Sequence, residues 1–185
     1  MSIFIMMRQI FAVPRLPAHR LPALGACAGL VLLAACASLP STTAPNMALP
    51  AAAPAPQDDY DWHFERQPQT VQLAYGVANS DDIPFGLSCR PGSGQIQMTT
   101  PSLDAKLKTI TLGTSEASQT YGARQEAAEM FDGYLLHAQT TPSDPVLLSF
   151  AKLGWLVIAH EGSWAGLSPQ TATKTQGQDF LAACR

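Results

Sequence analysis

The stretch that decides the fold is residues 83–99, IPFGLSCRPGSGQIQMT. Its first part places an apolar side chain at every second position up to Cys89, as in a strand with one face buried. Residues 90–94 are rich in Pro, Gly and Ser, which favour a turn. The alternation then resumes in residues 95–99. The pattern predicts a β-hairpin in which Ile83 and Cys89 face the core.

Further strands are expected wherever this alternation or a short apolar run recurs. In residues 103–112 the alternation changes parity near Lys108, which predicts a bulge or a turn there. Residues 155–160 are almost entirely apolar, as expected for a strand buried on both faces. The other segments expected to form strands are residues 70–75, 117–124, 130–140 and 164–167.

Two short helices are expected in the last third of the chain. Asp144 and Pro145 are suited to begin a helix and Gly154 to end it, which predicts a helix over residues 145–153. A second helix is predicted at about residues 175–185. The expected fold class is therefore mainly β or α+β, as a small antiparallel sandwich or bent sheet with two short helices.

The first 35 residues have the features of a secretory signal peptide. Three arginines precede an apolar run over residues 21–35, and Leu33-Ala34-Ala35-Cys36 then resembles the lipobox of bacterial lipoproteins. The resemblance implies that the Cys36 thiol receives diacylglycerol, that the chain is cut just before Cys36 and that the new amine is acylated. Such a protein is held in the lipid bilayer by its acyl chains. The alternative is an ordinary signal peptide cut near Ala35.

The resemblance also implies a location and a domain organisation. Because residue 37 is Ala rather than Asp, it implies the outer membrane of a two-membrane bacterium, with the domain facing the periplasm. Residues 36–59 hold the lipidated cysteine and five prolines, and this composition buries too little apolar surface to fold alone. We expect an extended Pro/Ala-rich tether there, followed by a single domain over residues 60–185.

The charge of the mature chain narrows the choice of partner. After the expected cleavage, eight Lys and Arg residues stand against fourteen Asp and Glu residues, which leaves a net charge near −6. No basic cluster stands out, so nucleic acid is not the expected partner.

The cysteines predict one disulfide. Signal cleavage would remove Cys27 and lipidation would occupy Cys36, which leaves Cys89 and Cys184 in a compartment that oxidises thiols. We expect these two to be bonded, closing the domain. The alternative is two buried free thiols.

No catalytic residue, metal site or cofactor site is predicted. The HExxH and CxxC spacings of zinc sites are absent, and His160-Glu161 lacks a second histidine four residues further on. The pair Asp81-Asp82 is interpreted as a solvated turn. We therefore expect a protein that is not an enzyme, with a hydrolase whose site lies near His160 and Glu161 as an alternative.

The aromatic residues suggest a binding surface. Tyr60 and Trp62 alternate with polar residues just after the predicted tether. One interpretation is an edge strand that packs its apolar face. The other is a groove in which Tyr60, Trp62 and Trp164 contact a ligand or partner.

The predicted disulfide and strand pattern also resemble a known class of envelope protein. Leu87-Ser88-Cys89, the turn that follows and Cys184 at the end of the chain are similar to small envelope lipoproteins that inhibit lysozyme. The Ser/Gly-rich loop and Tyr of that family are echoed by residues 114–122. The leading hypothesis is a non-enzymatic domain that binds another envelope protein or a glycan, and the second is an inhibitor of a cell-wall hydrolase.

Overall fold

The computed structural model describes residues 47–160, 162–170 and 175–185, so the predicted signal peptide and Cys36 lie outside the described residues. Within these ranges the chain forms nine strands and two helices. In chain order they are β1 (Tyr60–Arg66), β2 (Val71–Val77), β3 (Phe85–Cys89), β4 (Ile96–Ser102), β5 (Thr109–Gly113), β6 (Ser118–Ala127), β7 (Tyr134–Thr140), α1 (Pro145–Leu153), β8 (Leu156–His160), β9 (Ser163–Leu167) and α2 (Thr175–Cys184).

The nine strands of the described chain form one sheet in the order β1-β2-β3-β4-β7-β6-β5-β8-β9, and the pairs are antiparallel. β6 joins its two halves, since it pairs with β5 through residues 118–122 and with β7 through residues 123–127. The sheet curves so strongly that the Trp62 indole of β1 donates to the Leu167 carbonyl at the end of β9, at 3.3 Å. A bent antiparallel sheet with two helices is the fold class that the sequence predicted.

The predicted hairpin is β3 paired with β4, where Leu87 lies opposite Met98. Gly92 and Gly94 in the turn both have φ of 69°, in the left-handed region that glycine adopts without strain. Ile83 does not continue the inward face of β3 as expected. It lies in the preceding loop with an exposed side chain, because Pro84 has no amide hydrogen with which to continue the strand pairing.

Two other expected strand segments begin later than predicted. Residues 103–108 form a loop in which the Leu103 side chain is 81% exposed, and the strand starts only at Thr109. The parity change near Lys108 marks the end of this loop rather than a bulge within a strand. Residues 130–133 are likewise a loop ahead of β7, with Met130 80% exposed.

The core lies between the concave face of the sheet and the two helices. Buried side chains come from alternate positions of the strands and from one face of each helix. The helices pack closely, because a Cβ at Gly177 of α2 would stand 2.9 Å from the Phe150 ring of α1. Among the described residues, neither helix is long and apolar enough to cross a membrane.

The disulfide between Cys89 and Cys184 is present, as predicted, and it fastens α2 to β3. The hairpin turn reinforces the junction. The amides of Gly92 and Gly94 donate to the carbonyls of Ala183 and Cys184, at 3.0 and 2.9 Å. The turn thus satisfies carbonyls that the end of a helix leaves unpaired.

Asp144 begins α1 and connects it to the sheet. Its buried carboxylate accepts hydrogen bonds from the amides of Val146 and Leu147, as the predicted N-cap should. It also accepts from the hydroxyls of Tyr121 in β6 at 2.9 Å and Thr140 in β7 at 2.7 Å. Burial and this carboxylate together raise the pKa of Tyr121, so the phenol stays protonated at neutral pH.

The described part of the predicted tether, residues 47–59, lies against the sheet. It contains no helix and no strand, as its composition predicts. Side chains and carbonyls of this segment nevertheless contact β5, β9 and the residues after β9. The segment does not fold by itself, and the strands supply the apolar surface that it lacks.

Candidate binding groove

The three aromatic residues proposed as contacts have different surroundings. Trp62 is only 3% exposed and packs on Phe150 of α1 and Tyr75 of β2, at ring-centroid distances of 4.7 and 5.2 Å. Its side chain belongs to the core. For Trp62 the structure therefore favours the packing interpretation and not the groove.

Trp164 and Tyr60 lie nearer the surface. The Trp164 indole is partly buried and donates to the carbonyl of Ala48, at 3.0 Å. The Tyr60 hydroxyl donates to the carboxylate of Asp82, and this hydrogen bond is the main reason that the pKa of Tyr60 is raised. Trp164 thus contacts the chain's own N-terminal segment, and Tyr60 supports the loop between β2 and β3.

That loop forms one wall of a groove of about 860 Å³ on the convex face of the sheet. The volume lies within the range of about 300–1,000 Å³ that is typical of ligand sites. We call this surface the acidic groove. Its floor consists of outward-facing residues of β3, β4 and β7, and its walls are two loops. The floor residues are Gly86, Thr99, Pro101 and Leu135, and the walls are residues 81–84 and 126–131.

The first wall is held firmly in place. The Val77 amide donates to the Asp82 carbonyl at 3.1 Å, and the Thr100 hydroxyl donates to the Pro84 carbonyl at 2.8 Å. The Asp82 carbonyl also lies directly over Gly76, where a Cβ would collide with it. Only glycine at position 76 allows this close approach. The wall is therefore formed before any partner binds.

The second wall is the loop between β6 and β7, which carries the most exposed apolar side chain of the groove, that of Met130. The Ala128 amide donates to the Gly133 carbonyl at 3.0 Å, which closes the loop at its base. The Phe131 ring lies over Gly133, where a Cβ would stand 2.7 Å from Cε2. Phe131 is thereby held against the protein, while Met130 projects into solvent.

The charge of the groove is entirely negative. Asp81, Asp82, Glu126 and Glu129 line it, and none of the described Lys, Arg or His residues does. Arg124 pairs with Glu126 at 2.8 Å, and this contact is the main reason that the pKa of Glu126 is lowered. At neutral pH the groove therefore presents apolar surface between four carboxylates.

A smaller cavity of about 240 Å³ opens at one end of the curved sheet. Inward-facing apolar side chains such as Ile110, Leu136 and Ile158 line it, together with the backbone near Gln57. This volume is below the usual range for small-molecule sites. The acidic groove is the better candidate for a binding site.

The residues singled out for chemistry lie in different parts of the described chain. His160 is exposed at the end of β8, and Glu161 lies outside the described residues, so the hydrolase hypothesis there remains a prediction. On the sheet surface, Nδ1 of His137 accepts a hydrogen bond from the Gln97 side-chain amide at 3.1 Å and lies 3.2 Å from the Thr99 hydroxyl. Within the described ranges, no three His, Cys, Asp or Glu side chains are grouped to hold a metal ion.

The residues that echo the Ser/Gly-rich loop of lysozyme inhibitors have a structural role here. Thr114 is fully buried and its hydroxyl contacts that of Ser149 in α1, at 2.8 Å. Tyr121 is buried against Asp144. These two side chains therefore connect the β5–β6 hairpin to α1, instead of being presented to a partner.

Sequence reasoning missed the groove residues Ile83, Met130 and Phe131. Ile83 was assigned to the inner face of a strand, and Met130 and Phe131 to the start of one. The one available signal was the acidic turn Asp81-Asp82, next to an isoleucine that precedes proline. Nothing in the local pattern pairs that turn with a second loop about 45 residues further on.

No protein-family model, no curated protein and no solved structure matches this chain.

Proposed function

We propose that this protein is a non-enzymatic binding protein, held in the outer membrane by lipid on Cys36, whose domain binds another envelope protein through the acidic groove. The lipobox residues and the preceding signal-like segment support the anchor. The single observation that carries the binding role is the groove itself, with firm walls, exposed apolar side chains and four carboxylates.

The chemistry of the groove indicates the partner. An apolar centre within a charged rim is the usual anatomy of a protein-binding surface. Four carboxylates without a lining cation complement a segment rich in Lys or Arg. Because the exposed apolar side chains include Ile83 and Met130, an aliphatic or aromatic anchor between those cations would be buried. This favours a basic protein segment over a glycan.

The first experiment blocks the groove without altering the core. A Cβ at Gly86 would meet nothing within 4 Å, so Gly86→Leu fills the floor at little structural cost. Gly122→Leu is the matched control, since Gly122 lies in β6 outside the groove and is equally open. A photo-crosslinker at Met130 in intact cells would identify the partner, with the same crosslinker at exposed Leu148 of α1 as the reference position.

We expect a defined adduct from position 130 and none of the same mass from position 148. The purified partner should be basic, and its Kd should rise at least tenfold for Gly86→Leu but stay unchanged for Gly122→Leu. The Kd should also rise with salt, since surface charge pairs are screened. A partner whose affinity is equal for the two leucine variants would contradict the proposal.

A second variant pair tests the charges separately. Asp81→Asn combined with Glu129→Gln removes two carboxylates from the rim, and we expect weaker binding with a smaller dependence on salt. Glu65→Gln combined with Asp179→Asn, at two exposed positions outside the groove, is the charge-matched control. If the partner proves to be a cell-wall hydrolase that binding inactivates, the protein is an inhibitor that acts through the same groove.

A further inference from the structure

Residues 48–57, at the start of the described chain, pack on the surface of β5 and β9. We call residues 48–57 the strap. Ala48 accepts a hydrogen bond from the Trp164 indole, and Leu49 and Pro54 lie over Gly113 of β5 and Gly166 of β9. The Gln170 side chain donates to the carbonyl of Gln57 at the far end. The strap is thus held at both ends and twice in between.

The surface under the strap is a row across three strands. In the sheet register, Gly113 lies opposite Val157 of β8, and Val157 lies opposite Gly166. Two glycines flank one valine, so the row forms a shallow trough on the convex face. We call these three residues the trough. Any side chain at Gly113 would meet Leu49, and any side chain at Gly166 would meet Pro54 at 2.5 Å.

The burial of Val157 shows how well the strap fits. Its neighbours Leu156 and Ile158 face the core, so Val157 points to the convex face, which solvent would otherwise reach. Val157 is nevertheless only 1% exposed. This explains why residues 155–160 have the sequence of a strand buried on both faces, although only one face meets the core.

We infer that the trough is a binding site for an extended segment of prolines and small apolar residues, and that the chain's own strap is its ligand. The strap carries no charged residue between positions 48 and 57, and the trough contributes none. The indole donor of Trp164 recognises a backbone carbonyl, and glycine leaves room for a proline ring. Aromatic residues bind proline-rich segments in the same manner elsewhere.

Docking also sets how far the domain can move from the membrane, a consequence that rests on the proposed lipid anchor at Cys36. Residues 37–59 could span at most about 80 Å at about 3.5 Å per residue. With the strap docked at Ala48, the segment of residues 37–47 that precedes it could span at most about 40 Å. Docking and release would therefore hold the domain near the membrane or let it extend.

The test uses the full mature chain and one substitution, chosen so that the new side chain would contact the strap and leave the sheet unaltered. A Cβ at Gly166 meets no atom within 4 Å other than those of Pro54, so Gly166→Ala should displace the strap and leave the sheet intact. Trp62 and Trp155 are 3% and 6% exposed, so acrylamide quenching of tryptophan fluorescence mainly reports Trp164. We expect the quenching constant to rise about twofold for Gly166→Ala and to stay unchanged for Gly122→Ala.

The double variant Gly166→Ala/Pro54→Gly tests whether the contact between Gly166 and Pro54 holds the strap in place. Pro54→Gly removes the ring carbons that would collide with a Cβ at position 166, so the double variant makes room on the strap for the methyl group added to β9. We expect the double variant to recover at least half of the lost protection of Trp164, since contacting residues are energetically coupled. Unchanged quenching in Gly166→Ala, or a double variant no better protected than Gly166→Ala, would overturn the inference. If the double variant forms dimers, and the dimer fraction rises with the recovered protection of Trp164, the strap of a second copy occupies the trough. That result would also overturn the inference.

The membrane consequence has a separate readout. Neutron reflectometry on a supported bilayer should show the domain of Gly166→Ala further from the membrane than that of the unaltered chain. If the chain carries no lipid, neither protein attaches to the bilayer, while the quenching result still stands. Failure of the anchor and failure of the trough are therefore distinguishable.

Discussion

The convex face of the sheet carries two depressions that differ in what fills them. The acidic groove is open, and a Cβ at Gly86 in its floor would meet no atom within 4 Å. The trough is occupied, and a Cβ at Gly166 would collide with Pro54 of the strap. Outward-facing glycines make room in both places. Among the described residues, the chain itself fills that room in the trough and leaves it open in the acidic groove.

Charge explains why the strap occupies one depression and not the other. The strap is uncharged, and it lies over the trough without having to neutralise any charge. The groove has four carboxylates, of which Glu126 is paired with Arg124, and an uncharged segment lying there would desolvate them without supplying new partners. The trough therefore suits the chain's own uncharged strap, whereas the acidic groove requires a basic ligand from another molecule.

The largest expected effect removes the support common to both depressions. In Cys89→Ala/Cys184→Ala the link between α2 and β3 is lost, and the disulfide closes a separation of 95 residues. We expect the free energy of unfolding to fall by about 2–5 kcal/mol. Denaturant titration followed by tryptophan fluorescence measures this.

Reduction of the unaltered protein with a thiol is the control for that double variant, and it should shift the unfolding midpoint to the same place. Because the two depressions share one core, fluorescence intensity and the quenching of Trp164 should change in a single transition. Two separate transitions would show that the halves of the sheet on either side of β6 unfold independently. The acidic groove and the trough would then belong to two separately folding units.

The next effect separates the two depressions. In Gly76→Ala the new Cβ meets the Asp82 carbonyl, which is backbone and can move only if the loop moves. We expect a loss of about 1–3 kcal/mol from overpacking, together with weaker partner binding, since the first wall of the groove shifts. The quenching of Trp164 should not change. Gly86→Ala, at an open position in the same groove, should leave stability unaltered in the same denaturant titration.

Local pattern was enough to predict both helices and most of the strands, although not where several strands begin. Alternation in residues 83–99 predicts the β3–β4 hairpin, and Asp144, Pro145 and Gly154 predict α1. These signals reside in consecutive residues, and so does the turn chemistry between them. The disulfide could be predicted because processing was expected to leave only two cysteines.

The groove and the trough could not be predicted in this way, because each is assembled from segments far apart in the chain. Residues 81–84 and 126–131 become opposite walls only when β3, β4, β7 and β6 are neighbours. The strap has no periodicity, and its receptor exists only after β5, β8 and β9 pair. The sequences around Trp62 and Trp164 do not show which of the two is buried. Trp62 is a core residue because it packs on Phe150 of α1, which is distant in the sequence.

The smallest expected effect concerns pH and compares Tyr121, at the strand that joins the two halves, with Tyr60 at the groove wall. Burial, and then the Asp144 carboxylate, raise the pKa of Tyr121 above the ordinary value of 10.0. Below pH 10 both the folded and the unfolded chain keep this proton, so stability does not depend on it. Above pH 10 the unfolded chain releases the proton and the folded chain retains it, which favours unfolding.

Between pH 10 and 11, this group should therefore lower the free energy of unfolding by up to about 1.4 kcal/mol per pH unit. Denaturant titrations at pH 9 and pH 11 should show a smaller drop for Tyr121→Phe than for the unaltered chain. Tyr60→Phe should reduce the drop much less, because Tyr60 is partly exposed and its pKa is raised mainly by the hydrogen bond to Asp82. If the two variants reduce the drop in the free energy of unfolding equally, Tyr60 at the groove wall is as well shielded from water as Tyr121. A wall so shielded could not serve as an open binding surface.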